Sequence, residues 1–250
     1  MRTVFIAFLF SLFSVTCSFA AEAGMEKRQR TEALDVRQQA IITISAFTAN
    51  GDIERLEPAL NAGLEAGLSV NEIKEILIQL YAYAGFPRSL NGIYTFMGVM
   101  KEREAKGIQD NVGKEATPLP KDMDKDRYGA EVRRKLAGWE EDPPVQGLQL
   151  FTPVIITYVK EHLFSDIFAR DVLSYQEREL VTISALAVMT GTEGQLNFHL
   201  GAAMNVGLSA EQLKSFIAVL DTKVDKKQAK IANQILVDVL KHRKEMTTGS

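Results

Sequence analysis

Two parts of the chain repeat the same short segments in the same order. Thr43-Ile44-Ser45-Ala46 recurs as Thr182-Ile183-Ser184-Ala185, and Gly67-Leu68-Ser69 recurs as Gly207-Leu208-Ser209. One inserted residue reconciles the two spacings. Such a duplication predicts two copies of one structural unit whose apolar faces are buried against each other.

Each copy has the spacing of helices. Apolar residues recur three and four positions apart, which is the period of one helix face. The stripes of the first copy are Leu56, Leu60 and Leu64; Val70, Ile73, Ile76, Leu77 and Leu80; and Leu90, Ile93, Tyr94 and Met97. No segment shows sustained strand alternation. We therefore predict an all-α fold of two tandem helical repeats, at residues 26–110 and 155–240, with these stripes in the core.

The segment between the repeats has a different composition. Residues 111–154 contain Pro118, Pro120, Pro143 and Pro144, which interrupt regular structure. We predict a linker here, with a short helix over 131–136. An amphipathic helix over 155–170 then leads into the second repeat, and residues 241–250 are expected to be a polar tail.

Residues 1–20 have the pattern of a signal peptide. A positive start at Arg2 precedes a ten-residue apolar run over 4–13, and small residues occupy Ser18 and Ala20. Cleavage after Ala20 would give a periplasmic or secreted protein with no stable membrane anchor. An uncleaved anchor is the alternative.

Charge and cysteine content exclude several functions. The net charge is -3 and no long basic run is present, so duplex nucleic acid is not an expected partner. Cys17 is the one cysteine. Disulfides within the chain, cysteine-based zinc sites and dithiol redox chemistry are therefore excluded.

His199 is the candidate for proton transfer. On a helix its neighbours three and four positions away include Leu196, Ala202 and Ala203, so the imidazole points inward. Glu179 lies on an apolar stripe of the preceding helix, where a carboxylate is costly unless it is paired. If the helices are antiparallel the two side chains face each other, and a carboxylate-oriented imidazole suits general acid–base work. A core histidine and a helix N-terminal carboxylate are the alternatives.

The first repeat lacks both groups but carries others. The repeat alignment pairs His199 with Ala59 and Glu179 with Ala40. Tyr81, Tyr83 and Arg88 occur only in the first repeat. They are candidate substrate contacts, with Arg88 able to bind a carboxylate bidentately. Amphipathic tyrosines at the edge of the core and a solvated helix start are the alternatives for these residues.

These segments together resemble the carboxymuconolactone decarboxylase family, which includes the alkylhydroperoxidase D-like proteins. The resemblance rests on residues 168–173, on 178–182, on 199–209 with its His-to-Gly-Leu-Ser run, and on the Tyr-Ala-Gly-Phe-Pro run over 83–87. It covers most of residues 36–105 and 155–240. It implies an all-helical protein assembled into rings, commonly a trimer for tandem copies.

The resemblance also separates two chemistries. The peroxidase branch uses a Cys-x-x-Cys pair, where this chain has Thr192 and Gln195, so thiol-dependent peroxide reduction is not expected. The decarboxylase branch needs no cofactor. In it, His199 would be the proton donor and Glu179 its orienting group, acting on a small-molecule substrate.

Three functions remain open from the sequence, and the first two are the principal ones. The first is a cofactor-free carboxy-lyase or isomerase-like enzyme acting on a small carboxylated lactone or enolisable acid. The second is a non-catalytic small-molecule-binding or assembly protein on the same scaffold. Peroxiredoxin-type activity at the level of the family is a further alternative, without its thiol pair.

Overall fold

Helices form almost all of the regular structure of this protein. The computed structural model describes residues 33–248, and this range contains no β-strand. Its helices are α1 (Val36–Asn50), α2 (Ile53–Glu65), α3 (Val70–Ala84), α4 (Phe86–Ala105), α5 (Lys125–Ala137), α6 (Leu148–Phe151), α7 (Pro153–Thr157), α8 (Tyr175–Val188), α9 (Glu193–Asn205), α10 (Ala210–Val219) and α11 (Lys226–Thr248). Two π-helical segments extend α7 and α10, at Tyr158–Ile167 and Leu220–Val224 respectively.

The duplication seen in the sequence is repeated in the packing. Helix α1 packs on α2 as α8 packs on α9, and α3 packs on α4 as α10 packs on α11. Helices α1 and α8 lie against each other at the centre, and their apolar faces join both repeats into one core. The prediction of an all-α fold of two tandem repeats is confirmed.

Local signals explain where the helices begin. Ser69 caps α3 and Ser209 caps α10, and each side chain accepts a hydrogen bond from the backbone amide three residues later. Glu72 and Gln212 reach back to the amide of the cap and complete a capping box in both repeats. The Gly-Leu-Ser segment therefore recurs because it sets the same helix start twice.

The linker is partly helical and is attached to both repeats. Helix α5 is longer than the predicted short helix because Asp124 caps it and accepts a hydrogen bond from the Arg127 amide. Its Val132 and Leu136 join a second, smaller core with Phe164 and other residues of the π-helical segment. Near the second repeat, Asp171 accepts hydrogen bonds from the amide and hydroxyl of Thr117, which lower the pKa of Asp171 to about 2.

Two expectations about the ends of the repeats differ from the structure. Of the predicted α4 stripe, Leu90, Tyr94 and Met97 are 44%, 66% and 61% exposed, and Ile93 alone packs against the core. The opposite face of α4, which includes Phe96 and Val99, packs inward instead. Helix α11 continues through the segment expected to be a polar tail, as far as residue 248. The expected signal peptide lies outside the described residues.

A close backbone approach fixes α5 against the π-helical segment. A β-carbon at Gly129 would lie 1.9 Å from the carbonyl oxygen of Lys160. Gly129→Ala must therefore separate the two elements, and we expect it to lower the free energy of unfolding by at least about 1–3 kcal/mol, measured by urea denaturation.

Gly201→Ala in α9 is the matched control for this prediction. Apart from the neighbouring backbone of its own helix, no atom in the described part of the chain lies within 4 Å of a β-carbon at Gly201. Alanine there should raise the stability by about 0.5–1 kcal/mol, because glycine weakens a helix interior. Equal stability of the two variants would contradict the close approach at Gly129.

Candidate functional site

Glu179 and His199 meet in the interior of the second repeat. Helix α8 places Glu179 fully out of solvent, and α9 leaves 7% of His199 exposed. The Nδ1 atom of His199 lies 2.9 Å from Oε2 of Glu179. With the carboxylate ionised, Nδ1–H donates this hydrogen bond, which directs Nε2 away from Glu179. The pairing expected from the sequence is therefore present in the geometry.

The local sequence explains how these two helices present the pair. Ser174 caps α8 and its hydroxyl accepts from the Glu177 amide, which fixes the start of the helix just before Glu179. At the other end, the Thr192 hydroxyl donates to the carbonyl oxygen of Leu186 at 2.7 Å. This closes the turn between α8 and α9, and the turn brings His199 back beside Glu179.

Tyr83 comes to this pair from the first repeat. Its ring is edge-on to the His199 ring, with the centroids 5.9 Å apart. Burial, together with the negative charge of Glu179, raises the pKa of Tyr83. Within residues 33–248, no hydrogen bond of ordinary geometry reaches Oε1 of Glu179 or the buried Tyr83 hydroxyl, although the Thr182 side chain interacts with Tyr83. Two buried polar groups, one of them a donor and the other an acceptor, therefore lie close to the His199 imidazole.

A buried polar network joins the repeats next to this pair. Arg178 on α8 has no solvent exposure, and its guanidinium donates to Gln79 Oε1 at 2.9 Å and to Glu75 Oε2 at 3.3 Å. Arg170 donates from Nε to both oxygens of Glu75, at 2.9 and 3.1 Å. The hydrogen bonds to Glu75 raise the pKa of Arg170. Burial lowers the pKa of Arg178, and the charge of Glu75 opposes that effect.

The same network reaches the residues beside Glu179. The side-chain amide of Gln79 donates to the Arg178 carbonyl at 2.8 Å and to the Thr182 hydroxyl at 3.0 Å. Thr182 lies one helical turn from Arg178 and donates to the same carbonyl. Helices α3 and α8 are therefore held in one register, which also fixes Tyr83 relative to Glu179.

The other two predicted contact residues are not brought to the imidazole. Tyr81 stacks on Phe86 with ring centroids 4.5 Å apart and lies against His162. Residues two positions apart on a helix point in directions that differ by about 200°. Tyr81 and Tyr83 therefore face opposite sides of α3. The guanidinium carbon of Arg88 lies 4.0 Å from the position of a β-carbon at Gly51, at the turn after α1.

The buried polar network around Glu75 and Arg178 was not predicted from the sequence. Its signal is present in α3, where Glu75, Gln79 and Tyr83 follow one another at intervals of four residues. This spacing puts three polar groups on one face of the helix, next to its buried apolar residues. Arg178 had no such signal, because an arginine in the first turn of a helix is ordinarily solvated.

The described residues form neither a cluster of metal ligands nor a helix able to cross a membrane. Within residues 33–248, no three His, Cys, Asp or Glu side chains group in a way that would hold a metal ion. In the same range, none of the helices combines the length and the apolar character that crossing a bilayer requires.

Comparison with known proteins places the two repeats in one family. The model of the family described as "Carboxymuconolactone decarboxylase family" matches residues 19–93 and 155–232, which together exceed half of the chain. The chain is also similar to a 4-carboxymuconolactone decarboxylase of Acinetobacter baylyi, with 30% identity over 97 residues. The matched region is 38% of this chain and 72% of that protein.

Proposed function

Because the chain belongs to the carboxymuconolactone decarboxylase family, we propose that it catalyses cofactor-free decarboxylation or proton transfer on a small carboxylated lactone or enolisable acid. The observation that carries this proposal is the buried contact between Glu179 and His199. The Acinetobacter baylyi relative is named as a decarboxylase of this kind, which supports the proposal.

The proposed decarboxylation requires the protein to stabilise a developing negative charge and to supply a proton. Loss of CO2 breaks the bond between the carboxyl carbon and the ring carbon, and the electron pair passes into the conjugated system as a dienolate. Nε2–H of the His199 imidazolium then delivers a proton to carbon, and the neutral ring regains one from water. Glu179 stabilises the imidazolium and keeps the ring oriented.

Tyr83 has a position suited to the developing negative charge. Its hydroxyl is a buried donor beside His199, and a donor in a water-poor site stabilises an enolate oxygen more than it would in water. The raised pKa of Tyr83 keeps the phenol protonated, as a donor must be. In the proposed reaction Tyr83 is the substrate contact, and Tyr81 and Arg88 take no part in this step.

Glu179→Gln tests the orienting role of this carboxylate. The substitution removes a charge and keeps the shape, so we expect turnover to fall by roughly 10- to 100-fold. This corresponds to loss of a hydrogen bond to a charged group, about 1.5–3 kcal/mol. Nitrogen-15 NMR of His199 should show a shifted Nδ1 resonance, because an amide oxygen is a weaker hydrogen-bond acceptor than a carboxylate. Turnover is followed as CO2 released from unsaturated lactone carboxylates.

The matched control is Glu193→Gln, because Glu193 is an exposed carboxylate in the first turn of α9. We expect it to change neither turnover nor the Nδ1 resonance of His199. An unchanged rate and an unchanged Nδ1 resonance in Glu179→Gln would favour the non-catalytic binding protein instead.

We also propose that the protein is a homo-oligomer, a trimer as the family resemblance implies. The exposed α4 stripe of Leu90, Tyr94 and Met97 supports an interface on this helix, because large apolar residues in a contiguous exposed row commonly mark a contact surface. Export to the periplasm or beyond remains a proposal that rests on residues 1–20 alone.

A further inference from the structure

Because the chain is duplicated, the first repeat contains a position that is structurally equivalent to the Glu179–His199 site. In the repeat alignment, Glu179 pairs with Ala40 and His199 pairs with Ala59. The packing preserves this correspondence: α8 is flanked by α9 and α3, and α1 is flanked by α2 and by the π-helical segment after α10. Lys223 on that segment takes the position of Tyr83.

This second place is an open cavity. Its volume is about 440 Å³, and Ala40, Ala59 and Lys223 all line it. Such a volume lies within the range of roughly 300–1,000 Å³ that is typical of small-molecule sites. In the Glu179–His199 site the corresponding space is filled by the carboxylate and imidazole of the second repeat and by the phenol of Tyr83, whereas here Ala40 and Ala59 present two methyl groups. We call this space the alanine cavity.

The lining of the alanine cavity combines an apolar wall with cationic side chains. Phe47, Ala40 and Ala59 are 4%, 7% and 8% exposed and form the wall. Lys223 is exposed at the rim, where its ammonium nitrogen lies 3.0 Å from Oε1 of Gln39. An ammonium group has three donors, so this contact leaves donors for a ligand.

Arg55 adds a second cation that is held in a fixed position. Its guanidinium lies 4.6 Å from the centroid of the Phe47 ring and donates to Asp52 at 2.6 Å and to the Val224 carbonyl at 2.8 Å. Because Arg55 is already paired with Asp52, Lys223 is the principal positive charge that a ligand would meet.

We propose that the alanine cavity is a binding site for a small carboxylate with an apolar ring. The ring is buried against Phe47 and the two alanines, and the carboxylate accepts hydrogen bonds from Lys223 on the side towards Arg55. This site is separate from the Glu179–His199 pair, and it binds its ligand without converting it.

Benzoate is the probe, titrated into the full chain by isothermal calorimetry. We expect one site, and weaker or no binding of benzyl alcohol, which has the ring without the charge. Lys223→Gln should weaken benzoate binding about tenfold, as expected for loss of a hydrogen bond to a charged group. Lys230→Gln removes an exposed lysine of α11 and is the matched control. We expect it to leave the affinity unchanged.

A second set of variants locates the bound benzoate. Ala59→Leu fills the alanine cavity and should abolish binding, with circular dichroism used to check the fold. His199→Gln, which keeps a hydrogen-bond partner for the buried Glu179, should bind benzoate as the parent chain does. If Ala59→Leu does not fold, the benzoate affinity of Lys223→Gln shows whether the ligand lies in the alanine cavity.

Three results would overturn this proposal. They are the absence of benzoate binding up to its solubility limit, equal affinities for benzoate and benzyl alcohol, and benzoate binding that is lost in a folded His199→Gln variant but kept in Lys223→Gln. The last result would place the ligand at the Glu179–His199 pair.

Discussion

His199→Ala is expected to lower turnover by about 10²–10⁴-fold, the contribution typical of a positioned general acid. The imidazole is the group that delivers the proton in the proposed reaction, and it is held by the Glu179 carboxylate at 2.9 Å. Substrate affinity should change much less, because the proton moves only in the transition state. The measurement is steady-state release of CO2, with kcat and KM determined separately.

The main complication is that alanine leaves the Glu179 carboxylate buried without its partner, which destabilises the chain. His199→Gln avoids this, because the glutamine amide can donate to Glu179 but cannot act as an acid near neutral pH. We expect it to fold and to be as inactive as His199→Ala. His242→Ala removes an exposed histidine and serves as the matched control. A folded His199→Gln variant with parental kcat would refute the assignment of His199.

Glu75→Gln is expected to lower the free energy of unfolding by about 3–5 kcal/mol, the usual cost of removing one partner of a buried ion pair. Glu75 is 3% exposed and lies between Arg170 and Arg178. Its loss leaves the fully buried Arg178 guanidinium beside a second cation with no carboxylate between them. Urea denaturation measures the effect as a lower midpoint at unchanged slope.

Glu211→Gln is the control for this stability prediction. Glu211 pairs with Lys214 at 2.7 Å, but both side chains are more than half exposed. Pairs of this kind contribute at most about 1 kcal/mol, because water screens the charges. Nearly equal midpoints for Glu75→Gln and Glu211→Gln would show that the buried network does not stabilise the contact between α3 and α8.

Much of this architecture could be predicted from the sequence because the responsible signals are local. Helix period and the Gly-Leu-Ser caps depend on residues within a few positions of one another, and so does the expectation that the His199 ring points inward. The pairing of His199 with Glu179 needed only one assumption about the direction of two consecutive helices.

Other features depend on which helices meet, and the sequence does not encode that locally. The burial of Arg178 follows from Glu75, about a hundred residues earlier, so no window around Arg178 reveals it. The exposure of Tyr94 likewise follows from which face of α4 meets the core. Tyr81 and Tyr83 were grouped because they are close in sequence, although helix geometry separates them by about 200°.

The buried polar network consists of Glu75 and Gln79 from one repeat and Arg178 and Thr182 from the other. If the halves were identical, every substitution would alter two equivalent interfaces at once, and no change could serve only one of them. Divergence within a single chain removes that constraint. Selection can then maintain the residues of one interface between the repeats while the residues of the equivalent interface change. Two identical subunits cannot do this, because one sequence forms both of their interfaces.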